Sequence, residues 1–445
     1  MSAGLKRWKP YPAYKDSGVE WLGPVPEGWE IKQVRRVSPI LRGASPRPID
    51  DPIYFDDNGL FAWVRIADVT SSEMFLEKTT QQLSELGASL SVKLEPDSLF
   101  LSIAGSVGKP CITKIKCCIH DGFVYFPNMN INNKFLFYIF KSGEPYKGLG
   151  KMGTQLNLNT DTVGSIKIPV PPLPEQLSIA AFLDQQCAQI DSLIEKKQRM
   201  LVLLDERRRA VITQAVTRGL DPTVPMKDSG VEWLGMVPEG WEVKRLRFLV
   251  TTNPSKAEVR LSSNEFASFV PMEAVGEYGG MQCQECCLDE VDSGYTFFAD
   301  GDILIAKITP CFENVKGAIA ENLTNGIGFG STEFHVVRPL SAMNTAYCFW
   351  VTISSLFRNI GEAHMYGAGG QKRIPDMFIK NFPLPTPPLP EQQAIADYLD
   401  AQCAAMDSQR KSLEKSIELL REYRASLITH AVTGKIDVRD IAPLQ

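Results

Sequence analysis

Several groups of residues in this sequence have types and spacings that invite chemistry. Ala104-Gly105-Ser106-Val107-Gly108-Lys109 has the glycine and lysine content of a phosphate-cradling loop. The first glycine of that spacing, however, falls on Ile103, and Pro110 stands where a magnesium-binding hydroxyl is needed, so ATP binding is not expected. Gly148-Leu149-Gly150-Lys151-Met152-Gly153 fits GxGxxG but does not sit between a buried strand and a helix, and reads as a surface loop. Cys283, Cys286 and Cys287 could open a zinc site, yet no second pair follows at finger-like spacing. The histidines at 120, 335, 364 and 430 are too scattered for a His-centred triad. There is no Asn-Pro-Pro-aromatic tetrapeptide for amino methylation, and Pro375-Asp376 is not followed by the acidic pair and lysine of a nuclease. Familiar catalytic motifs are absent from this sequence.

The elements that must position any recognition residue are set by an internal repeat. Lys15 to Lys32 (KDSGVEWLGPVPEGWEIK) recurs at Lys227 to Lys244 with 16 of 18 positions identical, at an offset of 212. Pro171 to Asp191 (PPLPEQLSIAAFLDQQCAQID) recurs at Pro387 to Asp407 with 14 of 21 identical, at an offset of 216. Between these anchors, residues 38–165 and 251–377 share only short patterns, such as Gly153-Thr154-Gln155 against Gly369-Gly370-Gln371. The frame is kept and its contents differ.

Each half runs from a variable region through a proline-rich hinge (168–174 and 383–390) into a long helix, because proline removes donors and drives its predecessor into extended geometry. From Pro174 a four-three spacing picks out Leu183, Cys187, Ile190, Ile194, Lys197, Leu201, Leu204, Arg208, Val211 and Ala215. The second copy picks out Leu399, Cys403, Met406, Arg410, Leu413, Ile417, Leu420, Arg424, Leu427 and Ala431. Eight of ten positions in each set are apolar, which is a coiled-coil seam. Each helix should run about 45 residues, roughly 65 Å, and end at Gly219 or Gly434. Arg208 and Arg424 either snorkel from the seam or meet a third helix from another protein.

The variable regions alternate β-rich runs with turns: Phe61 to Ile66, Leu99 to Ile103, Phe269 to Met272 and Asp302 to Ile308. A helix is expected over 135–140 and over 346–355. Trp21, Trp29, Trp233 and Trp241 are expected to pack the frame rather than stack on bases. Ten cysteines, some adjacent as in Cys117-Cys118, read as reduced thiols. Apolar residues make up 44% of the 445, charged residues 22%, and no apolar run approaches the ~18 of a membrane span. With no apolar leader at the N-terminus, the cytoplasm is the expected compartment.

A scaffold that keeps its frame while varying its contents is suited to presenting two different reading heads, which is the logic of asymmetric, bipartite DNA recognition. The doubled pairing of KDSGVEWLG…PEGWE with PPLPEQ…LD resembles the specificity subunit of type I restriction-modification systems, over nearly the whole chain. In the second half, Gly301 to Ala320 with Gly330-Ser331-Thr332-Glu333-Phe334 is similar to a recurrent type of target recognition domain; Asp97 to Ile112 is a weaker match.

The resemblance implies an α+β fold of two globular target recognition domains (1–173 and 222–389) with helical spacers (174–221 and 390–445) forming two long antiparallel coiled-coil helices about a pseudo-two-fold repeat. It also implies no catalysis by this chain and no cofactor of its own. The expected partners are double-stranded DNA, a methyltransferase subunit in two copies that uses S-adenosylmethionine, and restriction subunits that use ATP with Mg. A membrane is not among them.

Base-contacting candidates come from chemistry: Arg and Lys read guanine, Asn and Gln read adenine, and turn amides approach phosphates. They are Arg42, Ser45, Arg47, Ser106, Lys109, Lys151 and Gln155 in the first domain, and Lys307, Thr309, Asn314, Lys316, Gln371, Lys372 and Arg373 in the second. The charge balance runs against a simple basic coat, at −5 for the chain, with 12 basic against 13 acidic residues in 38–165 and 8 against 15 in 251–377. Rival readings are a methyltransferase or nuclease without the usual motifs, a protein-binding coiled-coil scaffold, and the specificity subunit of a modification-only system.

Overall fold

The computed structural model describes residues 8–147, 149, 158–258, 265–291, 293–368 and 370–439. The chain divides into two compact units, Met1–Lys197 with Lys415–Gln445, and Gln198–Glu414. Two long helices, Leu173–Arg218 of 46 residues and Leu389–Val432 of 44, each contribute one part to each unit. Gly219 and Gly434 stop them in the left-handed region at φ +74° and +70°. A Cβ on Gly434 would meet Trp29 at 3.1 Å, and one on Gly219 would meet Trp241 at 3.2 Å, so glycine also lets each helix end lie on its tryptophan.

Unit one holds a five-stranded sheet in the order Leu41–Arg42, Phe123–Tyr125, Leu99–Ser102, Pro110–Thr113, Phe75–Leu76, and a four-stranded sheet in the order Gln81–Leu83, Phe61–Val64, Cys117–Ile119, Val92–Leu94. Unit two holds Val250–Thr252, Phe334–Pro339, Ile303–Ala306, Gly317–Ile319, and Gln284–Cys287, Phe266–Val270, Ile327–Gly330, Thr296–Ala299. Apart from the extra strand Phe75–Leu76, strand order and sense agree sheet for sheet, including the one parallel pair at the centre of each smaller sheet. The two variable regions therefore share a topology that their sequences hide.

The helix Asn133–Lys141 is apolar all round and buries Phe135, Leu136, Phe137, Tyr138, Ile139 and Phe140. Each such side chain contributes on the order of 1.5–3 kcal/mol relative to exposure. Its counterpart is Thr345–Ile353, followed directly by a second helix, Ser355–Ala363, that the sequence pattern did not separate. Both buried helices start on an asparagine cap, Asn132 or Asn344, whose side chain accepts from the amide three residues on.

The hinges are extended, as their prolines demand. Lys167–Val170 pairs antiparallel with Glu30–Gln33, and Pro383–Thr386 with Glu242–Arg245. Helix begins earlier than the prolines suggest, at Leu173 and Leu389. Pro174 and Pro390 sit in the first turn, where the missing N–H has no intrahelical partner to lose.

Frame residues tie each helix start to its unit. The Gln176 side chain accepts from the Asn132 amide at 2.8 Å and donates to the Pro171 carbonyl at 2.8 Å. Gln392 makes the same two bonds to Asn344 and Pro387. Eight residues further, just over two turns, Asp184 accepts from the Tyr138 hydroxyl, and Asp400 from the Trp350 indole, each at 2.8 Å. The Trp29 indole donates to Glu175 at 3.0 Å. Trp29 and Trp241 are buried; Trp21 is half-buried and Trp233, though 38% exposed, stacks against Phe382.

Every seam position is buried or half-buried. In unit one Leu183, Cys187, Ile190, Ile417, Leu427 and Ala431 are buried, with Ile194, Lys197, Leu420 and Arg424 half-buried. In unit two Leu204, Arg208, Ala215, Leu399, Cys403 and Met406 are buried, with Leu201, Val211, Arg410 and Leu413 half-buried. Within unit two, Arg208 pairs with Asp407 and Asp205 with Arg410 at 3.6 Å, so the helices run antiparallel there. Neither arginine of the repeat is left free for another helix, since Arg424 pairs with Asp191 at 2.9 Å and Arg208 also lies 4.9 Å from the Tyr278 ring.

Candidate nucleic-acid interface

In unit one the candidate residues converge on one loop. Between Cys117–Ile119 and Phe123–Tyr125 the chain turns through His120, Asp121 and Gly122. The Asp121 carboxylate accepts from Ser45 Oγ at 3.2 Å and from Arg47 Nη2 at 3.1 Å, while its carbonyl accepts from Arg42 Nε at 2.6 Å. Arg47 is 71% exposed, so the carboxylate aims it without covering it. His120 packs beside Phe123 and Trp63, its Nδ1 accepting from the Gly122 amide at 2.9 Å; burial pushes its imidazole below the ordinary range.

The loop joining Leu99–Ser102 to Pro110–Thr113 runs alongside, with the Ile103 amide donating to the Gly122 carbonyl at 2.8 Å. Its Ser106 shares a hydrogen bond with Thr70 at 2.7 Å, and Lys109 Nζ donates to the Thr70 carbonyl at 2.7 Å. Gly105 and Gly108, at φ +64° and +84°, let this loop turn back on itself. Lys151 and Gln155, with the rest of Gly153-Thr154-Gln155, lie outside the described residues.

In unit two the topologically matching loop lies between Ile327–Gly330 and Phe334–Pro339, and it carries Glu333 one position along from the place Asp121 takes in unit one, since Glu333 and Gly122 make the equivalent backbone bonds. Glu333 holds Arg373 by one edge of its guanidinium through two bonds, from Nε at 2.9 Å and Nη2 at 2.7 Å, and this partner keeps the carboxyl below its ordinary range. The Lys307 amide donates to the Glu333 carbonyl at 2.9 Å, and the Ile374 amide to the Lys307 carbonyl at 2.9 Å. The Thr309 amide donates to the Lys372 carbonyl at 3.0 Å, while Thr309 Oγ1 accepts from the Lys372 amide at 3.1 Å. Lys307, Thr309, Gln371, Lys372 and Arg373 are thereby brought onto one rim.

Asn314 and Lys316, in the same loop as Lys307, are placed elsewhere. Lys316 Nζ donates to the Met272 carbonyl at 3.2 Å, and Asn314 lines a cavity of about 480 Å³ in which the carboxylates of Asp205, Glu206, Glu277 and Glu313 outnumber the guanidinium groups of Arg209 and Arg410. The loop is held from within by Arg358, which is 4% exposed and donates to the carbonyls of Thr352, Phe312 and Lys316 at 2.7, 3.0 and 3.3 Å. His335 is also buried, its Nε2 3.0 Å from the Ile374 carbonyl.

Asp121, Glu333 and Arg358 are contributors that sequence reasoning missed. The first two carried no signal in the amino-acid order, because the loops that hold them align only once the strands are paired. Arg358 carried none either. Cys283 is exposed and Cys286 and Cys287 half-buried, none of them in a disulfide, and no cluster of three metal-ligating side chains occurs among the described residues. Among those residues no helix is long and apolar enough to cross a membrane.

The chain thus has two helix-tethered α+β domains of one topology, each presenting a cationic rim organised by a carboxylate. The model of the type I restriction modification DNA specificity domain matches residues 26–201 and again 238–419, and the chain belongs to that family. It is 46% identical over 162 residues to the type I restriction enzyme EcoEI specificity subunit of Escherichia coli, covering 36% of this chain and 27% of that subunit. The chain thus spans about a quarter of the length of the first curated relatives it matches. Against the MjaVIII specificity subunit of Methanocaldococcus jannaschii it is 21% identical over 440 residues, covering 94% and 95% of the two chains.

Among solved structures, one of a type I R-M system bearing on complex assembly and conformational transition has a TM-score of 0.69 at 15% identity, over 92% of this chain and 98% of that one. The crystal structure of the HsdS subunit from Thermoanaerobacter tengcongensis has a TM-score of 0.53 at 14% identity, over 93% and 98%. At these identities the likeness is one of fold.

Proposed function

We propose that the chain is the sequence-specific DNA-recognition subunit of a type I restriction-modification complex, reading a bipartite, asymmetric target and directing adenine-N6 methylation or cleavage by partner subunits. The observation that carries this reading is the double match of the specificity-domain model in one chain whose frame repeats while its contents differ. The target recognition domains are residues 1–173 and 222–389. The spacers, 174–221 and 390–445, form a coiled coil about a pseudo-two-fold axis and set the distance between half-sites.

Two methyltransferase subunits supply S-adenosylmethionine chemistry and restriction subunits supply ATP and Mg chemistry, all in the cytoplasm. Because the variable regions are close to neutral or acidic overall, affinity for DNA depends on a basic partner closing around the duplex. Exchanging residues 38–165 for the corresponding region of another such subunit, followed by methylome sequencing, tests the reading. One half-site should change while the other half and a spacer of roughly 5–8 base pairs stay as they are. A continuous motif, or a change in both halves, would count against it.

A further inference from the structure

The same loop of the same topology carries a carboxylate in both units, and in both that carboxylate holds an arginine supplied from a distant stretch of chain: Asp121 holds Arg47, and Glu333 holds Arg373. We propose that these are paired base-reading devices, in which Arg47 and Arg373 each read one guanine, one per half-site, with Asp121 and Glu333 as the positioning residues that fix the arginine plane. The inference rests on the DNA-recognition reading above and adds the base and the residues that select it.

The geometry of Arg373 supports this directly. A guanidinium has five N–H groups in one plane. Glu333 takes the Nε and Nη2 side, and the Nη1 group makes only a long 3.4 Å contact to the Gln371 carbonyl. The edge formed by Nη1 and the outer Nη2 hydrogen is therefore available, and it is the edge that matches the O6 and N7 acceptors of guanine in the major groove. Arg373 is also rigid at its root. Its amide and carbonyl exchange bonds with Tyr366 at 2.9 and 3.1 Å, and the Lys307 carbonyl accepts from the next amide.

A bare surface arginine would lose much side-chain freedom on binding, whereas one already locked by a carboxylate loses less. The carboxylate also rejects alternatives, because a phosphate brought to the same edge would lie close to a second anion. This discriminates between base and backbone as the partner. Arg47 has a looser version of this arrangement, with one bond to Asp121 and a side chain that is 71% exposed.

The test uses the full chain assembled with its methyltransferase subunits in cells, read by methylome sequencing. Arg373→Ala should relax discrimination at one guanine of the second half-site by roughly ten- to a hundred-fold, leaving the first half-site and the spacer unchanged. Arg47→Ala should do the same at one guanine of the first. Arg373→Lys and Arg47→Lys retain charge but not the bidentate edge, so they should relax the same positions; they decide the matter if the alanine variants leave too little methylated DNA to read.

Glu333→Gln and Asp121→Asn should weaken selectivity at those same positions, an effect that a general loss of stability would not confine to one base. A uniform fall in methylation with every base preference intact would make these arginines phosphate contacts and overturn the proposal. If the wild-type complex itself yields no split motif, the DNA-recognition reading fails instead, so the two failures are distinct.

Discussion

The buried guanidinium of Arg208 in the first long helix is paired with the carboxylate of Asp407 in the second, and the same pair recurs with the helices exchanged: Arg424 of the second is bonded to Asp191 of the first. Both partners are displaced by the repeat offset, 424 minus 208 and 407 minus 191 each being 216. A pair of arginines that looked like interruptions of an apolar seam is instead its cross-link.

Removing that cross-link should cost more in unit two than in unit one. Arg208 is 4% exposed, so Asp407→Ala leaves a cation with little access to water and should destabilise by about 2–4 kcal/mol. Arg424 is more open and has Glu73 at 3.7 Å as a second partner, so Asp191→Ala should cost under about 1 kcal/mol. Urea midpoints of the two variants check the order, and equal shifts would contradict it.

The glutamine of each PPLPEQ motif should matter far more than its polarity suggests. Gln392 is 1% exposed, and its loss leaves the Asn344 amide and the Pro387 and Ala342 carbonyls without their bonds. Gln392→Met, nearly equal in size, should lower stability by about 2–4 kcal/mol. Gln176→Met should act similarly, which thermal unfolding would show.

The seam is unevenly buried, so charge insertion should be uneven in effect. Leu399→Asp puts a carboxylate at a 0% exposed position and should unfold unit two, at several kcal/mol. Leu201→Asp and Leu420→Asp fall at half-buried positions and should be milder. Circular dichroism and the fraction of soluble protein separate these cases.

Mild acid should loosen both reading rims. Burial pushes His120 and His335 below their ordinary value of 6.5, so the unfolded chain takes up protons before the folded one as pH falls. Stability present above pH 6.5 is lost as pH drops through that value toward the folded pKa values. Comparing denaturation at pH 7.5 with pH 5.5 should show the decline, and the double variant His120→Gln, His335→Gln should flatten it.

The purified chain incubated with duplex DNA and labelled S-adenosylmethionine should incorporate no label, because the residue sets for methyl transfer and for hydrolysis are both missing from the sequence. Incorporation that rises with purity would reverse this expectation.

Much of the architecture was legible in the amino-acid order, because the interactions that write it are local. A four-three apolar spacing, prolines before a helix and glycine after it act within one or two turns. They located both long helices to within a residue or two and made the α+β character of the variable regions readable. The repeat showed a shared frame, and the chemistry of side chains put Arg47 and Arg373 among the candidates.

What no local pattern carried was which carboxylate each arginine meets. Asp121 lies 74 residues from Arg47, and Glu333 lies 40 from Arg373. Those distances close only when the strands take their places, with Cys117–Ile119 parallel to Phe61–Val64 and Ile327–Gly330 parallel to Phe266–Val270. Strand order follows from burying both faces of two sheets at once, a condition that many different side chains satisfy. The common topology of the two domains, and the carboxylate in the same loop of each, therefore belong to the tertiary structure alone.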